Sequence, residues 1–122
     1  MKNVFVNHTN HSSAKWSEPQ LAAARKFGEI VDLPFPAIDA NASREQVLEL
    51  VELQLSAILE LSPSAVLCQG EYVYTCAMVE RLKSIGIPVM AACSERVTSE
   101  RVTVDGATER ISTCRFVQFR LY

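Results

Sequence analysis

Short apolar segments alternate with longer amphipathic segments along the first three quarters of the chain. Residues 2–7 alternate and are rich in valine and phenylalanine, which predicts an opening strand. Apolar runs at 29–33, 65–69 and 87–93 predict three further strands. The last two are continuously apolar, as is typical of strands covered on both faces.

Helix start and stop signals lie between these strands. Ser17, with a glutamine three residues later, predicts a capping box and a helix that ends at Gly28. Ser43 caps the next helix in the same way, and a third helix is predicted over 71–85, ended by Gly86. The second helix, over 44–61, is expected to bury an apolar stripe made of Val47, Leu50, Val51, Leu55, Ile58 and Leu59.

The sequence pattern changes at Ser94, after which polar and apolar residues alternate on both sides of Asp105-Gly106. An Asp-Gly pair in that setting predicts a β-hairpin. Strands that alternate with helices indicate a parallel sheet covered on both faces. We therefore predict an α/β fold, a Rossmann-like parallel sheet flanked by helices with a C-terminal antiparallel β-hairpin, in a single domain over residues 1–122.

Composition narrows the range of functions. The chain has 122 residues, of which 48% are hydrophobic, and its net charge is −2. A binder of long nucleic acids normally carries a broad basic excess, so that class is disfavoured. No apolar run reaches the roughly 18–20 residues that span a bilayer, and the N-terminal apolar stretch is too short for a signal peptide. We expect a cytoplasmic protein with no membrane partner.

Neither a metal nor a cofactor is expected. The chain has no C-x-x-C pair, no G-x-G-x-x-G and no phosphate-binding P-loop motif. The two histidines, His8 and His11, have no carboxylate or cysteine close to them in sequence, whereas metal sites usually need three or four ligands. We expect the cysteines to be small buried hydrophobes rather than metal or redox residues; they are Cys68, Cys76, Cys93 and Cys114.

Polar residues follow three of the predicted strands directly. Ligands of open α/β sheets bind at the carboxyl ends of the strands, so we expect a site there, although ordinary turns with helix caps would give the same pattern. The sequence around residues 69–71 offers no clear capping side chain, which favours the site. The residues are Asn7, His8, Thr9, Asn10 and His11 after the first strand, Gln69, Gly70 and Glu71 after the third, and Ser94, Glu95 and Arg96 after the fourth.

Individual residue types suggest an anionic ligand, and each has a plain structural alternative. Gly70 at the start of a helix would let backbone N–H groups approach a phosphate, while Glu71 would repel one or simply complement the helix dipole. A histidine would donate a hydrogen bond or transfer a proton, or lie solvated in a loop. Five arginines and four carboxylates fall within 94–122, which fits a compact phosphate site or a solvated strand face with cross-strand ion pairs.

Several short motifs resemble small CRISPR-associated proteins of type III systems, which are stand-alone relatives of the CARF (CRISPR-associated Rossmann-fold) domain. The Asn7-His8-Thr9 segment, followed by Gln20, is similar to the N-terminal motif of that family. The later resemblance lies in residues 66–71, 78–79, 86–89, 94–96 with Glu100, 105–106, and 116–120 with Tyr122.

The resemblance implies a ring nuclease that binds and cleaves a cyclic oligoadenylate second messenger, with cyclic tetra-adenylate as the expected ring. Such enzymes switch off the antiviral response, usually without a metal, through attack of a ribose 2′-OH on the neighbouring phosphorus. A homodimer is expected because the ring is itself symmetric. The alternatives are a module that sequesters the messenger without cutting it, and a structural partner subunit that uses the aromatic hairpin as its interface.

Residue roles follow from the resemblance together with the strand-end positions. Arg96 is expected to be the main charge partner of phosphate, and His8 to transfer a proton; both are expected in loops. Ser94 completes the catalytic set. The residues expected to bind the ligand are Asn7, Thr9, His11, Gln69, Gly70, Glu71 and Glu95. The family pattern lacks residues 11–16, which are expected to act as a lid or to alter ring-size preference.

Overall fold

A computed structural model describes residues 3–122, and within that range five strands form one sheet. The spatial order is β2-β1-β3-β4-β5; the first four strands are parallel, and β5 is antiparallel to β4. The predicted α/β fold with a C-terminal hairpin is therefore confirmed. The strands are β1 (Val4–His8), β2 (Glu29–Asp32), β3 (Ala65–Cys68), β4 (Val89–Val102) and β5 (Thr108–Leu121). Lys2, the predicted first residue of β1, lies outside the described residues.

Helices cover both faces of the sheet. They are α1 (Glu18–Arg25), α2 (Arg44–Glu60) and α3 (Tyr72–Ser84), with a short 3-10 turn at Ser13–Lys15 before α1. None of the helices within residues 3–122 is long and apolar enough to cross a membrane.

The period of two along β1 divides the core into two layers. Phe5 packs with Leu67 and Met90 on the face covered by α1, while Val6 packs with Val66 on the face covered by α2 and α3. The second layer is the larger one, because two helices supply its apolar side chains. The α2 stripe is buried as predicted at Val47, Val51, Leu55 and Ile58, with Leu50 partly buried, but the prediction is wrong for Leu59, which is 41% exposed.

The two predicted capping boxes have different outcomes. At α2 the prediction is confirmed: Ser43 Oγ accepts from the Gln46 backbone N–H at 3.1 Å, and Gln46 Oε1 accepts from the Ser43 N–H at 2.8 Å. At α1 it is wrong, because Ser17 occupies the N-cap position but makes no side-chain cap hydrogen bond. Pro19 at the second helical position removes one of the two backbone donors that such a cap uses.

The fourth predicted strand does not end at residue 93. It continues into the hairpin, so that β4 runs to Val102 with a register shift between Cys93 and Ser94. β3 pairs with β4 only at Val66–Val89 and Leu67–Met90, beyond which β4 has β5 as its partner. Residues 94–116 consequently form a two-stranded ribbon, called the hairpin ribbon below, that projects past the parallel sheet.

The expectation that the cysteines are buried is confirmed for Cys68 and wrong for Cys76 and Cys114. Cys68 in β3 is fully buried, Cys93 is intermediate, and Cys76 and Cys114 are exposed; all four are free thiols. Cys114 is exposed because it lies on the hairpin ribbon, where β4 and β5 pair only with each other.

The contrast between the two caps gives a stability prediction. Ser43→Ala should lower the free energy of unfolding by about 1 kcal/mol, because it removes a formed capping box. Ser17→Ala is the matched control and should have a much smaller effect, since no side-chain bond is lost. Urea unfolding of both variants measures the difference, and equal losses would contradict this assignment of the caps.

Candidate functional site

A cleft of about 920 Å³ opens at the carboxyl ends of the strands. One wall is the segment after β1 together with the start of α1. The floor is the end of β3 with the residues that follow it and the first part of β4, and the other wall is the hairpin ribbon. The residues that line it are Thr9, Asn10, His11, Lys15, Trp16, Ser17, Pro19 and Gln20 on the first wall, Leu67, Gln69, Gly70 and Ala92 on the floor, and Ser94, Thr113, Cys114, Arg115 and Phe116 on the ribbon.

His8 is not in this cleft. It is the last residue of β1 and fully buried, so its expected position in a loop is wrong. Its Nδ1 lies 2.7 Å from the Leu33 carbonyl oxygen and its Nε2 lies 2.7 Å from the Tyr74 hydroxyl. A carbonyl oxygen only accepts, so Nδ1 carries the proton and, in the neutral ring, Nε2 accepts from Tyr74. Burial lowers the pKa of His8 despite the Leu33 hydrogen bond, which favours this neutral form.

Asn7 and Thr9 are also buried, and they shape the segment that follows them. Asn7 Nδ2 donates to the His11 carbonyl oxygen and to Asp32 Oδ1, both at 2.9 Å. Thr9 Oγ1 lies 2.7 Å from Asn7 Oδ1, to which it donates, and accepts from the His11 N–H at 3.2 Å. Asn7 therefore positions the cleft wall from below, whereas Thr9 and His11 reach the cleft itself.

Gln69 is at the floor of the cleft, but its amide already has partners. Its Oε1 accepts from the Ala92 N–H at 2.9 Å, and its Nε2 donates to the Ala92 carbonyl oxygen at 3.3 Å. The side chain thus replaces a backbone peptide and continues the pairing of β3 with β4 by one more step. The role that the sequence suggested, a side chain that holds phosphate, would require these bonds to break.

Gly70 is required where the chain leaves β3. A Cβ at this position would lie 2.4–2.7 Å from three ring atoms of Phe35. Phe35 in turn packs against Tyr74, with ring centroids 4.7 Å apart, and against His8. The aromatic ring therefore seals this side of the sheet edge, and the glycine lets it approach.

Besides Asn7 and His8, three further expected site residues lie outside the cleft lining. Glu71 Oε1 accepts from the Tyr74 N–H at 2.7 Å and so caps α3, which corrects the expectation that no capping side chain is present there. Arg96 and Glu95 lie within β4 on the hairpin ribbon and are exposed, so the expected loop position of Arg96 is wrong. The neighbouring Ser94 does line the cleft.

An aromatic row that the sequence pattern did not predict runs along the cleft. Trp16, Phe119 and Phe116 follow one another, with centroids 6.3 Å apart for Trp16–Phe119 and 4.9 Å apart for Phe116–Phe119. Trp16 and Phe116 line the cleft, and Phe119 packs into the α1-side core between them. The alternation of aromatic and basic residues at the chain end was the available signal, but it did not identify Trp16.

The cleft has a cationic lining. Lys15 and Arg115 supply its positive charges, and the described residues that line it include no aspartate or glutamate. Arg115 Nη1 is 3.9 Å from Glu95 Oε1, and both side chains are more than half exposed, so this ion pair is weak. Across residues 3–122 no group of three histidine, cysteine or carboxylate side chains could hold a metal ion. The lining thus suits a ligand with negative charge and flat apolar groups.

Comparison with known proteins assigns the chain to a family. Residues 3–120 match the sequence model of the uncharacterized protein MJ1673 family, so the chain belongs to that family. No curated protein and no solved structure matches the chain.

The buried neutral histidine predicts a pH-dependent stability. In the unfolded chain, His8 would bind a proton near the ordinary pKa of about 6.5. In the folded chain its pKa is lower, so the unfolded state binds more protons and the free energy of unfolding should fall as pH drops below about 6.5. His8→Gln should reduce this slope in urea unfolding between about pH 7.5 and pH 5.5. Tyr74→Phe, the control, removes the hydroxyl but keeps the imidazole and should retain the slope. An unchanged slope in His8→Gln would contradict the assignment.

Proposed function

We propose that this member of the MJ1673 family binds a cyclic oligoadenylate in the cleft, with cyclic tetra-adenylate as the first ring to test. The observation that carries the proposal is the lining: Lys15 and Arg115 face the cleft without a carboxylate among the described lining residues, in a chain whose net charge is −2. Positive groups concentrated in one crevice of an acidic protein favour a compact anion.

The aromatic row supports a ligand that also carries bases. Trp16 and Phe116 line the cleft together with Lys15 and Arg115, and stacking of a base on an aromatic side chain is worth about 1–3 kcal/mol. The volume of about 920 Å³ is near the upper end of the usual range for ligand sites, about 300–1,000 Å³. A ligand with several phosphates and several bases fits this combination better than inorganic phosphate does.

The proposed reaction is opening of the ring without a metal. A ribose 2′-OH loses its proton and attacks the adjacent phosphorus, the bond from phosphorus to the 5′ oxygen breaks, and that oxygen takes up a proton. The products are a 2′,3′-cyclic phosphate end and a 5′-OH. Lys15 and Arg115 would stabilise the charge that develops on the phosphate oxygens. Because His8 is buried and bonded at both ring nitrogens, His11 takes the proton-transfer role in this proposal.

A second candidate function is binding without cleavage, in which the protein sequesters the messenger. It is favoured by the burial of His8 and by the engagement of Gln69 with Ala92, because the hydrogen-bonding groups of both side chains already have protein partners. Whether it cleaves or only sequesters the messenger, the protein would lower the concentration of free messenger and so reduce type III CRISPR signalling.

The test is incubation of the purified protein with cyclic tri-, tetra- and hexa-adenylate, followed by chromatography. Cleavage supports the ring nuclease, retention without cleavage supports the sequestering module, and no interaction with any ring contradicts both. Arg115→Ala should reduce affinity about tenfold, the loss of one charge-assisted contact. Arg110→Ala is the matched control: this arginine is also on β5, is exposed, lies outside the cleft lining and should bind like the wild type.

We also propose that two copies share one ring. A cyclic oligoadenylate has rotational symmetry, and a homodimer would present the same cleft to each half. Light scattering should give the mass of a dimer at micromolar protein with cyclic tetra-adenylate present. A monomer mass with the ring bound would contradict this arrangement while leaving the proposed ligand intact.

A further inference from the structure

The cleft wall before α1 has little regular structure of its own. Residues 10–16 contain one 3-10 turn, Ser13–Lys15, and four of them line the cleft: Asn10, His11, Lys15 and Trp16. Isolated turns of this length are not stable on their own. Something outside the segment must therefore fix its position.

Asp32, the last residue of β2, supplies that fixed point. Its carboxylate accepts from the Asn7 amide at 2.9 Å, from the Ser13 hydroxyl at 3.1 Å, from the Ser13 N–H at 3.2 Å and from the Ser12 hydroxyl at 3.3 Å. Asp32 does not line the cleft. It connects the ends of two neighbouring parallel strands to the start of the 3-10 turn.

We propose that Asp32 is a positioning residue that holds the 10–16 wall in the geometry that binds the cleft ligand. The identity of that ligand rests on the proposed function, whereas the positioning itself does not. Asn7 is the second anchor, since its amide joins Asp32 to the His11 carbonyl oxygen.

The chemistry of the donors explains why a carboxylate is needed. The Asn7 amide and the Ser13 N–H can only donate at these contacts, so the group between them must accept on both oxygens. Partial burial alone would raise the pKa of Asp32, but the hydrogen bonds from Asn7, Ser13 and Ser12 together outweigh it and hold that pKa below the ordinary value. Asparagine at position 32 would keep one acceptor oxygen, but its NH2 group would face one of these donors and could not accept a hydrogen bond from it.

The test uses Trp16, the single tryptophan of the chain. Acrylamide quenching of its fluorescence, without ligand and well below the unfolding temperature, should be stronger in Asp32→Asn than in the wild type. The affinity for cyclic tetra-adenylate should fall about tenfold, as expected for loss of a charge-assisted hydrogen bond. Asp39→Asn is the matched control; Asp39 holds the Asn41 N–H in the loop after β2, away from the cleft lining, and should change neither quantity.

The double variant Ser12→Ala/Ser13→Ala serves if Asp32→Asn does not fold. It removes two hydroxyl donors to the same carboxylate at the start of the wall and should shift both measurements in the same direction by less. A folded variant with wild-type quenching would overturn the positioning role, because a contribution to global stability alone does not loosen Trp16 in the folded state. Failure of the wild type to bind any ring would contradict the proposed function, and the quenching comparison would still decide the role of Asp32.

Discussion

Burial of three consecutive polar side chains at the end of β1 is the constraint on which the surrounding architecture depends. Asn7, His8 and Thr9 are all less than 10% exposed, and each buried group left without a partner would cost about 1–3 kcal/mol. The hydrogen-bond partners of these side chains therefore determine which segments pack around the end of β1. His8 joins the loop after β2 to α3 through Leu33 and Tyr74, while Asn7 joins Asp32 to the chain that turns back toward α1.

This arrangement makes the two sides of the sheet edge different. On the side of α2 and α3, Phe35 covers Gly70 and packs on Tyr74, so the crevice is filled. On the side of α1 the crevice stays open, because β4 continues past its pairing with β3 and carries the hairpin ribbon beyond it. The proposed ligand therefore has one face of the edge available, between the 10–16 wall and the ribbon.

Periodicity predicted the order of elements and the sheet edge at which Thr9, His11, Gln69, Gly70 and Ser94 meet. It could not predict the burial of His8, because the Tyr74 hydroxyl that satisfies it is 66 positions away in the chain. The same pattern led to a wrong loop position for Arg96. Polar and apolar residues alternate after residue 93 whether a new strand begins there or β4 continues, and in the structure β4 continues. The contribution of Arg115 and Phe116 depends on the register of β5 against β4, which local sequence does not specify.

The fluorescence of Trp16 tests the central claim most directly, because the chain's single tryptophan lines the cleft. Titration of the wild-type protein with cyclic tetra-adenylate should give a saturable change in Trp16 emission, with the same midpoint as the dissociation constant measured by calorimetry. Calorimetric binding with unaltered Trp16 emission would place the ligand elsewhere on the protein. If neither fluorescence nor calorimetry detects binding of cyclic tri-, tetra- or hexa-adenylate, the proposed function is contradicted.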